Sequence, residues 1–204
     1  MSEPRLLAHL AGSPALARCD DLAVARAAVA AALPGRADHE ANRARILAFV
    51  DEHPDALHRS CLEGHLTGSA AVVDADSGRL LLLFHTKVQR WLQPGGHADG
   101  DANLAAVACR EAEEETGIAG LTVVTPAIDL DVHVFHNQTS PEPDHLHLDV
   151  RHLVLAPPGA VPVGNHESQG LAWVASEDLP GYDVDEGTLR LASAASAALA
   201  RLRR

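Results

Sequence analysis

Apolar residues recur along this chain with two different periods. Between residues 20 and 53 the spacing is helical. "DDLAVARAAVAAAL" (20–33) is alanine-rich, opens on a capping aspartate and is stopped by Pro34-Gly35. "DHEANRARILAFVDEH" (38–53) sets Ile46, Phe49 and Val50 at helical spacing before Pro54. From residue 65 the texture becomes that of strands. "HLTGSAAVVDADSGRLLLLFHT" (65–86) reads as two β-runs around Asp76-Ser77-Gly78, a hairpin signal. "WLQPGGHADGD" (91–101) reads as a loop, followed by a helix with Asp101 as N-cap that runs to Thr116 and stops at Gly117. Two alternating runs follow at 129–136 and 145–156, joined by turn-rich "NQTSPEPD". A Pro/Gly-rich stretch, a short strand at 171–175 and a helix from about Glu186 to Leu202 complete the chain. The change of texture places a boundary near residue 62, with a helical extension at 1–62 and a mixed α/β layer domain at 63–204.

Composition narrows the function classes. Apolar residues are 47% and charged residues 22% of the 204, ordinary for a globular protein. Sixteen basic against 28 acidic residues give a net charge of −12, which repels nucleic-acid backbones and argues against binding bulk DNA or RNA. Cys19, Cys61 and Cys109 are widely spaced with no CxxC pair, so neither a disulfide framework nor a thiolate zinc site is expected. No stretch has the ~20 apolar residues that span a bilayer. The expectation is a soluble, cytoplasmic protein.

The chemistry concentrates in "GGHADGDANLAAVACREAEEETGI" (95–118). A helical residue advances about 100°, so Glu111, Glu114 and Glu115 share one face as i, i+3 and i+4 neighbours. Glu113 points elsewhere, toward solvent. Three converging carboxylates after a glycine turn form a hard-oxygen site suited to Mg²⁺ or Mn²⁺, ions that also bind phosphate oxygens. The alternative is a solvated acidic face balanced by Arg110.

The stretch resembles the signature of the Nudix hydrolases, G-x(5)-E-x(7)-R-E-U-x-E-E-x-G-U with U apolar. Gly96, Arg110, Glu111, Ala112, Glu114, Glu115, Gly117 and Ile118 fall in register, and the exception is Ala102 in place of the first glutamate. Asp101 stands one place earlier. The resemblance covers roughly 63–204 and implies an α/β/α sandwich with a mixed sheet, to which the N-terminal helices are added. It further implies Mg²⁺-dependent hydrolysis of a nucleoside diphosphate linked to another moiety, such as a nucleotide sugar, dinucleotide or nucleoside triphosphate. Glu111, Glu114, Glu115 and the carbonyl of Gly96 would be the metal ligands, and Arg110 would orient the glutamates. Glu167, before the last strand, would be a further ligand or the general base, with Glu111 as its competitor.

The alternating runs are more particular to this chain. Asp129, Asp131, His133 and Phe135 share one face of the first, and His145, His147, Asp149 and Arg151 one face of the second. An even register makes these faces coincide. The cluster would then be a substrate wall in which Arg151 and His133 or His147 meet phosphate, a histidine–carboxylate second metal site, or simply the polar outward face of a one-sided sheet. His97, beside Gly96, is the best single candidate for touching substrate. Trp91 and Trp173 could stack on a base or fill a core, and Lys87 and Arg90 could meet phosphates or be merely exposed.

Two other functions use the same residues. Isopentenyl diphosphate isomerases resemble this family but need a pocket cysteine, for which Cys61 and Cys109 are poorly placed. A silent nucleotide sensor would use residues 1–60 as its interaction module, but such a sensor has no need of three metal-binding carboxylates. The N-terminal helices could cover the sheet or build a homodimer interface.

Overall fold

In the computed structural model, residues 4–136, 143–166 and 168–204 are described. Nine strands make one sheet: β1 (Leu7–Leu10), β2 (Gly64–Asp74), β3 (Leu80–His85), β4 (Trp91–Leu92), β5 (Gly95–His97), β6 (Thr122–Thr125), β7 (Asp129–Phe135), β8 (His145–Ala156) and β9 (Ser168–Val174). The helices are α1 (Leu22–Ala31), α2 (Ala37–Glu52), α3 (Leu104–Thr116) and α4 (Glu186–Leu202).

The two longest strands lie side by side at the centre. β2 and β8 pair in parallel from Gly64↔Leu146 to Asp74↔Ala156. On its far side β8 pairs antiparallel with β7 along its first half and with β6 near its end, and β6 carries β1 at the edge. β2 is flanked by β5 and β3, and β3 by β9 and β4. Both central strands are buried along nearly their whole length, as expected where helices cover both faces.

Alternation assigns side chains to the two faces. Leu66 and, from β8, Leu148 and Val150 pack with Leu104 and Val107 of α3 and with Ala25, Val29, Ile46 and Val50 of α1 and α2. On the opposite face Ala71, Val73, Leu82 and Leu153 pack with Leu191, Ala195, Ala198 and Leu199 of α4. The result is the expected α/β/α sandwich. The N-terminal residues are built into it. Asn103 Nδ2 donates to the carbonyls of Ala15 and Ala17, which ties the segment before α1 to the start of α3.

Three local expectations change. The first 60 residues, read as helical, also contain β1; its side chains are largely exposed, so no apolar alternation marks it, and it is held by backbone pairing to β6. The loop 91–101 contains β4 and β5, because glycines 95 and 96 let backbone lie where a side chain would collide. The N-cap of α3 is Asn103, whose side chain accepts from Ala106 N, rather than Asp101. The helix ends as expected at Gly117, with φ +64°.

The contact between α3 and the sheet depends on Gly68, where a Cβ would lie 2.9 Å from the Leu104 carbonyl oxygen and 3.0 Å from Val107. Gly68→Ala should therefore destabilise the fold by about 1–3 kcal/mol in urea unfolding. A Cβ at Gly181 meets nothing within 4 Å, so Gly181→Ala serves as the neutral control.

Candidate functional site

α3 buries Leu104, Val107, Ala108, Cys109 and Ala112 on one side and turns its glutamates toward β5. Glu115 is itself buried, and its Oε2 accepts the Gly95 N–H at 2.9 Å. The Glu111 carboxyl group lies so close to Gly96 that a Cβ there would collide with it, which is why the position needs glycine. The Glu114 side chain is 61% exposed beside them. Glu113, expected on the solvent face, is half-buried.

Arg110 links these carboxylates. Its guanidinium lies 3.3 Å from Glu111, 4.0 Å from Glu114 and 3.6 Å from Asp101. Asp101 also accepts the backbone N–H of Cys19 and Asn103 at 3.2 and 3.0 Å, so its side chain is occupied and leaves the capping of α3 to Asn103. Ala102 is fully buried in the apolar cluster with α1 and α2, where a glutamate would be desolvated. Asp101, one place before the departure at 102, supplies an acidic partner of Arg110. Carboxylates from one helix face beside a backbone carbonyl fit a hard divalent cation. Glu167 lies outside the described residues.

The register of β7 and β8 is the even one: Asp129↔Arg151, Asp131↔Asp149, His133↔His147 and Phe135↔His145. The two ends of this polar face differ. Arg151, expected at phosphate, is buried. It donates through Nε to Asp149 at 2.7 Å, through Nη1 to Asp129 at 3.2 Å and the Gly187 carbonyl at 3.1 Å, and through Nη2 to Asp131 at 2.9 Å. Asp149 also accepts from the Thr67 and Ser69 hydroxyls at 2.9 Å, and Arg190 of α4 donates to Asp131. All three guanidinium nitrogens are engaged, so Arg151 is a structural hub. Burial alone would raise the Asp131 pKa, but the hydrogen bond from His133 and the charges of Arg151, His133 and Arg190 hold it well below the carboxylate range.

The other end is aromatic and imidazole-rich. The His147 ring lies 5.0 Å from His97, 5.2 Å from His65, 5.2 Å from His145 and 5.5 Å from His133, and it stacks on Phe135. His133 is exposed and donates Nδ1–H to Asp131 at 3.0 Å, since a carboxylate can only accept. Burial, reinforced by His97, His133 and their neighbours, pushes the His147 pKa down to about 2. Burial and Arg59 push His97 down to about 4. His97 and His147 are therefore neutral at pH 7, so these two would recognise a ligand by hydrogen bonding or coordination rather than by charge.

The even register expected from the sequence brings His133 and His147 together, as found. His97, singled out only for its place beside Gly96, joins them through β5, and His65, which β2 delivers to the same face, was missed. His65 sits in a strand buried on both faces, so alternation within that strand carried no signal for it. Of the other candidates, Trp91 packs edge-on against Phe84 and Tyr182, Trp173 donates to the Ala160 carbonyl, and Lys87 and Arg90 are exposed. Cys109 is buried, and burial together with Glu113 pushes its thiol up to about 11, away from nucleophilic use.

The NUDIX domain profile matches residues 64–193. Among solved structures, an Ap4A hydrolase binary complex from C. elegans superposes with TM-score 0.54 at 20% identity, covering 67% of this chain and 98% of that one. The dihydroneopterin triphosphate pyrophosphohydrolase of E. coli superposes with TM-score 0.50 at 13% identity, covering 63% and 92%. These likenesses bear on the fold. No curated protein matches in sequence.

Two outcomes are expected. Arg151→Met leaves buried Asp129 and Asp149, and half-buried Asp131, without this guanidinium and should cost about 3–5 kcal/mol in urea unfolding. The histidines set a pH dependence. His65, His97, His147 and His152 all titrate below their ordinary 6.5, His152 at about 4 because it is buried. The unfolded chain therefore binds more protons than the folded one between about pH 6.5 and 4, so stability falls as pH falls through that window. Melting of the metal-free protein should occur at lower temperature at pH 5 than at pH 7.5; equal midpoints would contradict the assignment.

Proposed function

Because this chain belongs to the Nudix family and is a pyrophosphohydrolase of that type, we propose that it uses Mg²⁺ to cleave the pyrophosphate of a nucleoside diphosphate linked to another moiety. The substrate class is a nucleotide sugar, a dinucleotide or a nucleoside triphosphate. The observation that carries the reading is the convergence of Glu111 and Glu115 on the Gly95–Gly96 backbone, with Glu114 sharing the Arg110 guanidinium with Glu111. The net charge of −12 favours a small substrate whose phosphates are met by a local cation over a long nucleic acid.

Glu111, Glu114, Glu115 and the Gly96 carbonyl would hold Mg²⁺, with Mn²⁺ as an alternative. When bound, the ion neutralises phosphate charge and acidifies a water. The protein's contribution is positioning. Glu115 is fixed by the Gly95 N–H and Glu111 by close packing on Gly96, while Arg110, ion-paired with Glu111 and Glu114, offsets their mutual repulsion. Glu111 and Glu167 are the candidates for the base that takes the water's proton. His97, one residue beyond Gly96, and exposed His133 would line the substrate; the contact of both rings with His147 supports their acting together.

Release of phosphate and nucleotide with Mg²⁺ across nucleoside triphosphates, ADP-ribose, nucleotide sugars and dinucleoside polyphosphates tests the proposal. One substrate class should be turned over, and Glu114→Gln and Glu115→Gln should each lower turnover roughly 100-fold or more. Glu114 is exposed, so its variant should melt with the wild type. No turnover on any compound, with nucleotide-dependent thermal stabilisation in its place, would instead mean a sensor.

A further inference from the structure

A second cluster of ligand-type side chains lies on the face of the sheet opposite α3. His65 and His147 are paired neighbours on β2 and β8, and His145 is two residues before His147 on the same face. Their ring centroids are 4.7 Å (His65–His145), 5.2 Å (His65–His147) and 5.2 Å (His145–His147) apart, and one nitrogen from each lies within 4.8 Å of the others.

Hydrogen bonding makes this cluster unusual. Among the described residues, six buried side-chain nitrogen or oxygen atoms lack a partner, and three of them are here: both ring nitrogens of His65 and Nε2 of His147. Buried polar atoms are costly to leave unpaired, so a concentration of them at one point indicates a ligand. His145 supplies the complementary feature. Its Nδ1–H donates to the Pro143 carbonyl at 3.0 Å, which fixes the tautomer and leaves Nε2 with a free lone pair, the usual arrangement behind a metal-bound imidazole.

We propose that His65, His145 and His147 bind a divalent transition-metal ion of the Zn²⁺ or Co²⁺ class, at a site separate from the Mg²⁺-binding glutamates. Imidazole nitrogen selects such ions over Mg²⁺, whose ligands are oxygens. Bond lengths of ~2.0–2.1 Å require the rings to turn slightly inward. Three protein ligands leave one tetrahedral position for water. His97 borders the trio from β5, with its ring 4.9 Å from His65. The ion would therefore sit beside the catalytic loop and clamp β2 to β8.

The test needs no turnover. The full-length protein, stripped with chelator, is titrated with Zn²⁺ and with Co²⁺ in excess Mg²⁺, which fills the glutamate site. One equivalent should bind, and His145→Gln and His147→Gln should each weaken binding at least about 10-fold. The double variant Glu114→Gln/Glu115→Gln should bind as wild type. Should the histidine variants misfold, zinc-edge X-ray absorption of the wild-type protein decides independently, with imidazole scattering expected. An oxygen-only shell, no retention of zinc against Mg²⁺, or binding lost with the glutamates but not with the histidines would overturn the site.

Discussion

Eleven residues of β2 lie in parallel register with eleven of β8, strands about eighty positions apart in the chain, and the chemistry of the molecule is arranged around that ladder. Parallel strands cannot be joined by a tight turn, so the intervening chain must cross over, and it carries α3 with it. The same register places His65 beside His147, Thr67 beside Asp149 and Ser69 beside Arg151. A slip of one residue would exchange the polar face for the one that packs on α3, and neither helix layer would fit.

Glycine makes the glutamate site workable. Acidic side chains on one helix face repel one another, and the fold answers by bringing backbone against them: the Gly95 N–H to Glu115 and the bare Cα of Gly96 to Glu111. Arg110 adds a cation within 4.0 Å of Glu111, Glu114 and Asp101. Two of the three glutamates are thereby held in place by the fold itself, so the cation proposed for this site would require less ordering on binding.

The polar face of β7 and β8 contains two opposite solutions to burying polar groups. Around Arg151 the charges are paired and hydrogen-bonded, with contributions from β2, β7, β8 and α4. Around His65 and His147 the rings are packed against one another with nitrogens left over. In the first, every nitrogen of the Arg151 guanidinium is paired without a ligand, so it reads as structure. In the second this is not so, and it reads as a site.

What the sequence determined by itself is what depends on local spacing. The four helices, the hairpin about Gly78, the end of α3 at Gly117 and the alternation of β7 and β8 are all written in short-range patterns. The signature from Gly96 to Ile118 also made the family legible, since it lies within one contiguous stretch. Tertiary structure decided everything that joins distant segments. It added β1 as an edge strand held by backbone pairing, which no side-chain pattern records. It set Asp101 against Arg110 and buried Ala102 in the apolar packing of α1 and α2, where a charge would be desolvated. It turned Arg151 from a candidate phosphate ligand into a buried hub, because α4 brings Gly187 and Arg190 over it. And it brought His65 to His147, a meeting that depends on the parallel register of β2 and β8, which neither strand's own sequence contains.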